Sequence, residues 1–265
     1  MQAGESFVMC VLPSRCPSGF FTARGFTLVE LAIVMAIIGL LVGGILKGQE
    51  ILMNARMTMT ISQVQSYRAA NTSFHDIYAA QPGDMAQATA RLPGCTAAAS
   101  CFDGDGDGII GSASGNYSHD DQSATTAAPA VETSMYWKHL ALAKLIGGVD
   151  PVADPLVPDW GDTHPAAKIA GGFHVVDANE TGNNQAIGHY YILRKSPTGD
   201  PHPFSPGLEA LSPNQAERID RKMDDDNGRN GDVRDDDASG MCNAAGTGVY
   251  QSGESKDCLV IFQFE

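Results

Sequence analysis

The sequence predicts an α+β protein. A long N-terminal α-helix crosses a membrane with its first half and packs its second half on a globular head with a small antiparallel β-sheet. Three observations carry this prediction. Residues 26–46 form an apolar run with a single charge. Apolar residues then recur at mostly three- and four-residue spacing as far as Tyr78, and Pro82-Gly83 supplies a stop. Beyond that point short apolar runs, Gly/Pro turns and closely spaced cysteines replace the helical pattern. The expected organisation is an N-terminal segment over 1–25, a helix over 26–80 and a head over 81–265.

Composition narrows the class. The chain has 265 residues, 18% charged and 43% hydrophobic, which fits neither a disordered chain nor a polytopic membrane protein. With 31 acidic against 17 basic residues the net charge is −14. Residues 1–25 carry +1 and residues 26–80 carry zero, which leaves −15 for residues 81–265. An acidic head of this kind argues against nucleic acid as the main partner, because phosphate binding needs a Lys/Arg surface.

The first element is the run FTLVELAIVMAIIGLLVGGIL, Phe26 to Leu46. At about 1.5 Å per residue its helix is about 31 Å long, against a bilayer core of about 30 Å. A buried core helix rarely stays apolar on every face for this length. A secretory signal has a shorter apolar region and a small-x-small cleavage site, which Leu40 to Gly44 match poorly. Arg15 and Arg24 precede the run and only Lys47 follows closely, which keeps the N-terminus cytoplasmic and sends the head outward. Glu30 is the exception inside the span. A carboxylate costs about 2.5–3.5 kcal/mol at the bilayer centre and less near an end. It calls for a cationic partner, and no Lys or Arg lies within a turn on its C-terminal side.

The helix continues through Ile51, Ala55, Val64, Tyr67, Phe74, Ile77 and Tyr78, read as one buried stripe. In the head, Gln81 to Met85 reads as a turn. A second helix is expected over 131–146, with Trp137, Leu140, Ala141 and Leu145 inward and Gly147-Gly148 as its stop. Short strands are expected over 173–176 and 189–193. Ser212, Pro213 and Gln215 form the start signal of another helix, with Ser212 as N-cap. Cys258 to Phe264 reads as a last strand closing the sheet, and residues 112–130 as an exposed loop.

Arg24-Gly25-Phe26-Thr27-Leu28-Val29-Glu30-Leu31 resembles the processing signal of the type IV pilin and type II secretion pseudopilin family. The resemblance implies cleavage between Gly25 and Phe26 by a prepilin peptidase, removing residues 1–25 as a leader, and N-methylation of Phe26. It also implies that Glu30 acts in assembly. The new Phe26 amine of one subunit would neutralise Glu30 of its neighbour and so select the register of the stack. Here Gly43 and Gly44, rather than a proline, are the expected flexible point. The head resembles a subgroup of large pilin-like proteins at Leu92 to Cys95, at Tyr136 to Leu140 and from Leu211 through Asp226, with Cys242 downstream.

Six cysteines suit an oxidising compartment. Cys10 and Cys16 would leave with the leader. Proximity pairs Cys95 with Cys101 and Cys242 with Cys258, each bridge contributing about 2–4 kcal/mol, with other connectivities open. Asp103, Asp105 and Asp107, alternating with Gly, match the first half of an EF-hand loop, with the Ile109 carbonyl as a fourth ligand for Ca2+. The twelfth position is Ser114 rather than Glu, and Asp120 or Asp121 is the substitute. The competing reading is a solvated acidic loop. Asp224 to Asp237 holds seven Asp against Arg229 and Arg234, and reads as a helix end running into a solvated loop, with a second cation site as the lesser reading.

No catalytic residues stand out. The seven His are scattered, no nucleophile elbow or phosphate-binding loop is present, and His139 beside Trp137 reads as structural. The expected function is non-enzymatic, and the resemblance implies a minor pilin or pseudopilin of a type IV pilus or type II secretion pseudopilus. It implies as partners other pilins or pseudopilins, the prepilin peptidase, an inner-membrane assembly platform with its ATPase, and the lipid bilayer. The expected location is the bacterial inner membrane, single-pass with a periplasmic head, and then a pilus or pseudopilus reaching the cell surface. The alternative is a membrane-anchored, calcium-dependent adhesion module that does not polymerise.

Overall fold

The structure is a computed structural model that describes residues 26–111, 117–118, 131–179, 187–197, 210–235, 242–244, 247–253 and 258–265. The leader with Gly25, Cys10 and Cys16, the 112–130 loop apart from 117–118, and Asp236 and Asp237 lie outside the described residues. The chain divides into two compact units between Gln49 and Glu50.

The first unit is the beginning of helix α1, Leu28–Tyr78. Its large apolar side chains, Leu31, Met35, Ile38 and Leu41 among them, are exposed around the whole circumference. Among the described residues α1 alone is long and apolar enough to cross a membrane.

The second unit begins within α1 and buries one stripe of it: Met57, Thr60, Ile61, Val64, Tyr67, Asn71 and Phe74. The phase differs from the predicted stripe. Ile51, Ala55 and Ile77 are exposed, because a 3.6-residue repeat drawn through Val64, Tyr67 and Phe74 runs back to Met57 and Met53 instead. Around this stripe stand helices α2 (Ala88–Arg91), α3 (Glu132–Leu142) and α4 (Pro213–Met223), and one antiparallel sheet. Its strands are β1 (Tyr117–Ser118), β2 (Gly172–Asn179), β3 (Ile187–Arg194), β4 (Val233–Asp235) and β5 (Val260–Gln263), in the order β1-β2-β3-β5-β4.

Both faces of the sheet are covered, which explains the weak alternation in its sequence. Phe173, Val175, Tyr191, Leu193, Val260 and Phe262 join the main core, while Val176, Tyr190, Ile192, Leu259 and Ile261 form a second cluster. The C-terminal strand β5 lies inside the sheet rather than closing it. It pairs with β3 on one side (Ile192 opposite Ile261) and with β4 on the other. The three-residue edge strand β4 is too short to carry a periodic signal.

Aromatic rings fill the centre. Tyr67 of α1 meets Trp137, Phe173 and Tyr191 edge-on at 5.1, 5.5 and 6.0 Å. The buried hydroxyls are paired: Tyr136 donates to Asn71 Oδ1 at 3.1 Å and lies 2.8 Å from the Tyr191 hydroxyl. Polar bonds also fasten α1. Gln63 Nε2 donates to the Ala166 carbonyl, Gln63 Oε1 accepts the Lys168 amide, and Thr60 Oγ1 accepts the Ile169 amide.

Helix α3 ends at Leu142, four residues before the predicted end. Lys144 adopts the left-handed conformation (φ 60°), its amide bonds the Ala141 carbonyl, and the Leu145 amide reaches back to Leu140. This is a helix stop of the kind glycine usually supplies, and Gly147-Gly148 follow as loop. Helix α4 begins as predicted, with Ser212 extended, Pro213 first and Gln215 Oε1 accepting the Ser212 amide at 3.0 Å.

The turn after α1 is where backbone space is tightest. Gly83 has φ 88°, and a Cβ there would lie 2.4 Å from the Glu132 carbonyl oxygen. Gly108 has φ 90° with no atom within 4 Å of its added Cβ. Gly108→Ala should cost about 1–2 kcal/mol from the left-handed backbone alone. Gly83→Ala should cost distinctly more, because main chain must move; urea unfolding of the two variants measures the difference.

Candidate functional site

The Gly-rich acidic loop is organised by two carboxylates from outside it. All eight backbone amides from Gly104 to Gly111 are hydrogen-bonded. Asp84 accepts Gly106 and Gly108 on its two oxygens, at 2.6 and 2.9 Å. Glu132, at the start of α3, accepts Asp105 and Gly111 at 2.9 and 2.8 Å. Asp105 and Asp107 each accept the amide two residues on, as Asp side chains do in turns. The Ile110 amide donates to His189 Nε2 at 3.2 Å.

This arrangement splits the predicted ligand set. Asp103 faces α2, where it accepts both the amide and the hydroxyl of Thr89. The Ile109 amide is bound to Asp107. The carboxylates that converge are Asp84, Asp105 and Asp107, with one oxygen from each within 4.8 Å of the others. Ser114, Asp120 and Asp121 lie outside the described residues.

Burial and crowding shape the charges here. Glu132 is fully buried, and its carboxyl is pushed up to about 8, first by desolvation and then by the charges of Asp105 and Asp84, against the pull of its two amides. Desolvation raises Asp84 as well. His139, also fully buried, is pushed down to about 4 by desolvation, so it is neutral near pH 7. Its Nδ1 accepts the Gly83 amide at 3.0 Å and its Nε2 faces the Phe102 carbonyl at 3.3 Å, which makes it a link between the two loops.

Disulfides join Cys95 to Cys101 and Cys242 to Cys258, with Cα separations of 5.1 and 4.9 Å. Lys138 reinforces the first loop from α3. Its ammonium donates to the carbonyls of Ala99 and Ala153, and burial lowers its pKa.

At the other end of the chain, Phe26 is 85% exposed. Thr27 and Glu30 form a reciprocal cap on the first turn of α1. The Thr27 amide and hydroxyl each donate to Glu30 Oε2 at 2.9 Å, and the Glu30 amide donates to Thr27 Oγ1 at 3.2 Å. Glu30 thus has a local partner in its own chain. Gly25, on the far side of the predicted cut, lies outside the described residues.

Comparison with known families places these residues. The family described as a prokaryotic N-terminal methylation motif matches residues 21–46. The chain carries the signature of type IV pilins and pseudopilins. The methylation motif contains Gly25, Phe26, Thr27 and Glu30 and ends where the apolar run ends. It points to a structural protein rather than an enzyme, and with a single N-terminal apolar helix it fits a membrane-anchored protein that assembles with other pilin subunits. No curated protein and no solved structure matches the chain.

Two organising acids escaped the sequence reading. Asp84 stood inside a presumed turn, and Glu132 at a helix start with no acidic pattern around it. The Thr27–Glu30 box was available as the spacing T-x-x-E ahead of an apolar run.

Glu132 sets a pH dependence. A carboxyl bound more tightly to its proton in the native state loses stability for the fold as pH rises from 4.5 to about 8. His139 acts in the opposite sense, destabilising as pH falls from 6.5 toward 4. Between pH 6.5 and 8 the Glu132 contribution therefore dominates. The unfolding free energy should fall across that window by up to about 1 kcal/mol per pH unit, lowering the melting temperature, and Glu132→Gln should lose most of that pH dependence in thermal unfolding at fixed ionic strength.

Proposed function

We propose that this chain is a structural subunit of a type IV pilus or type II secretion pseudopilus, a minor pilin or pseudopilin. Its precursor sits in the bacterial inner membrane with the head in the periplasm, oriented by Arg15 and Arg24 on the cytoplasmic side. A prepilin peptidase cuts between Gly25 and Phe26 and the new amine is methylated. The assembly platform then moves the subunit from lipid into a helical stack, where Phe26 to Leu46 form the apolar centre and the Phe26 amine of one subunit meets Glu30 of the next. The observation that carries this reading is the methylation motif over residues 21–46, coincident with a helix whose apolar side chains have no covering in the single chain.

The capping box adds a detail to the proposal. Both Thr27 donors converge on Glu30 Oε2, while Oε1 takes no part in the box. Capping satisfies the first-turn amide and fixes the carboxylate near the chain end, where a neighbouring amine would arrive.

A second reading, a calcium-dependent adhesion module that does not polymerise, draws on the convergence of Asp84, Asp105 and Asp107. The two readings separate on Glu30. In the filament reading, Glu30→Ala removes the chain from sheared filaments while the membrane-anchored precursor persists at wild-type level. In the adhesion reading its distribution is unchanged. A mass spectrum of the mature chain should begin at methylated Phe26, and any other start would remove the filament reading. Calcium on Asp105 and Asp107 requires that added Ca2+ raise the melting temperature and that Asp105→Ala abolish the rise.

Thr27→Val should weaken the first turn by about 1 kcal/mol and reduce filament incorporation less than Glu30→Ala does. Quantitative immunoblots of sheared and membrane fractions measure both.

A further inference from the structure

Five steps among the described residues place Asn or Asp before Gly: Asp103-Gly104, Asp105-Gly106, Asp107-Gly108, Asn227-Gly228 and Asn230-Gly231. Each carries the same latent chemistry. The glycine nitrogen can attack the side-chain carbonyl carbon of the residue before it, closing a five-membered ring. Both reacting groups sit in one chain, and glycine has no Cβ to obstruct the approach. A glycine N–H fixed by a hydrogen bond keeps its proton and is held away from that approach.

The fold ties down four of the five glycine amides. Gly104 donates to the Met85 carbonyl at 3.1 Å, and Gly106 and Gly108 donate to Asp84. Gly228 is buried and donates to the Gly248 carbonyl at 3.0 Å. The Asn227 side chain before it is fixed too. Its Oδ1 accepts the Arg229 amide at 3.2 Å, and Gly248 packs so closely that a Cβ there would collide with that oxygen. Asn230-Gly231 differs on each count. Asn230 is exposed, and among the described residues neither its side-chain amide nor the Gly231 N–H makes a hydrogen bond.

We infer that Asn230 is a site of spontaneous deamidation in the native protein. The Gly231 nitrogen bonds to Asn230 Cγ, its proton passes through solvent to the departing side-chain nitrogen, and ammonia leaves a succinimide. Water then opens the ring. Breaking the bond from Cγ to nitrogen gives aspartate; breaking the main-chain bond gives isoaspartate, with the chain rerouted through Cβ. The reaction needs only the folded head and water, not a filament. Its two products differ in consequence. Asp224 Oδ2 accepts the amides of Asp232 and Val233, and a Cβ on Gly231 would collide with the Asp224 carboxylate, so this turn has no room for a longer chain. Asp232 also pairs with Arg68 of α1 at 3.3 Å. Isoaspartate therefore loosens the edge strand β4 and its tie to α1, whereas aspartate adds only a charge.

The test incubates the full chain in detergent micelles at mildly alkaline pH and reads each asparagine by peptide mapping with tandem mass spectrometry. Digestion in heavy-oxygen water marks any conversion that follows the incubation. In the native protein Asn230 should convert to aspartate and isoaspartate at least about tenfold faster than Asn227, the factor given by about 1.4 kcal/mol of barrier. In urea, where no hydrogen bond discriminates between them, the two rates should converge. Amide hydrogen exchange at Val233, Arg234 and Asp235 should quicken as isoaspartate accumulates, and should stay constant in Asn230→Gln. Equal native rates at Asn227 and Asn230, or no conversion of Asn230 in the native protein, overturns the site.

Discussion

Helix α1 changes its solvent along its length, and the rest of the molecule is arranged around that change. From Leu28 to Leu46 its apolar side chains face outward on every side, whereas from Met57 to Phe74 a single stripe is buried and the exposed remainder is mostly polar. Burial of apolar surface is worth about 25 cal/mol per Å², so the first segment needs lipid or other helices, and the second supplies one wall of a core. The polar bonds at Thr60 and Gln63 belong wholly to the covered segment. A chain built this way has one surface fit for aqueous exposure and another that only a membrane or neighbouring subunits can satisfy.

Within the head, order comes from carboxylates turned inward. Asp84 and Glu132 replace water for a loop that has no secondary structure of its own, and backbone amides replace water for them. The exchange accounts for glycines in the 103–108 segment. Gly104 lets the loop approach the Gly83-Asp84 backbone, where a Cβ would come within 2.3 Å. It also couples the loop to α3, because Glu132 is part of the first turn of that helix, and to the turn after α1, because His139 from α3 accepts the Gly83 amide.

The sequence made some of this legible and left other parts hidden, for identifiable reasons. A 21-residue apolar run and a Ser-Pro-x-Gln helix start are local signals, and both elements stand where those signals put them. The strands at Phe173 and His189 were visible but short, since burial on both faces removes the alternation that marks a strand's ends. The end of α3 was misplaced because a lysine, not a glycine, takes the left-handed turn. Strand β4 and the role of Asp84 exist only through partners far away in the chain. The turn of Asp103 toward α2 was hidden for the same reason: its donors are on Thr89, which the spacing of aspartates does not mention.

The acids of this chain therefore divide by what answers them, and that division carries more information than the net charge of −14. Asp84 and Glu132 are answered by amides of the same head, and their work is complete within one molecule. Glu30 is answered by Thr27, which meets the needs of a helix start in an apolar medium, where an unsatisfied amide or hydroxyl costs several kcal/mol. Such a cap makes a carboxylate tolerable in the span while leaving its negative charge uncancelled. Cancelling that charge takes a cation from elsewhere, and in the proposed filament the amine made by cutting before Phe26 of a neighbouring subunit would supply it. In that proposed filament, local hydrogen bonding and intermolecular pairing would be successive demands on one side chain. The first sets where Glu30 points; the second, under the proposal, would give that direction a consequence only when another subunit is present.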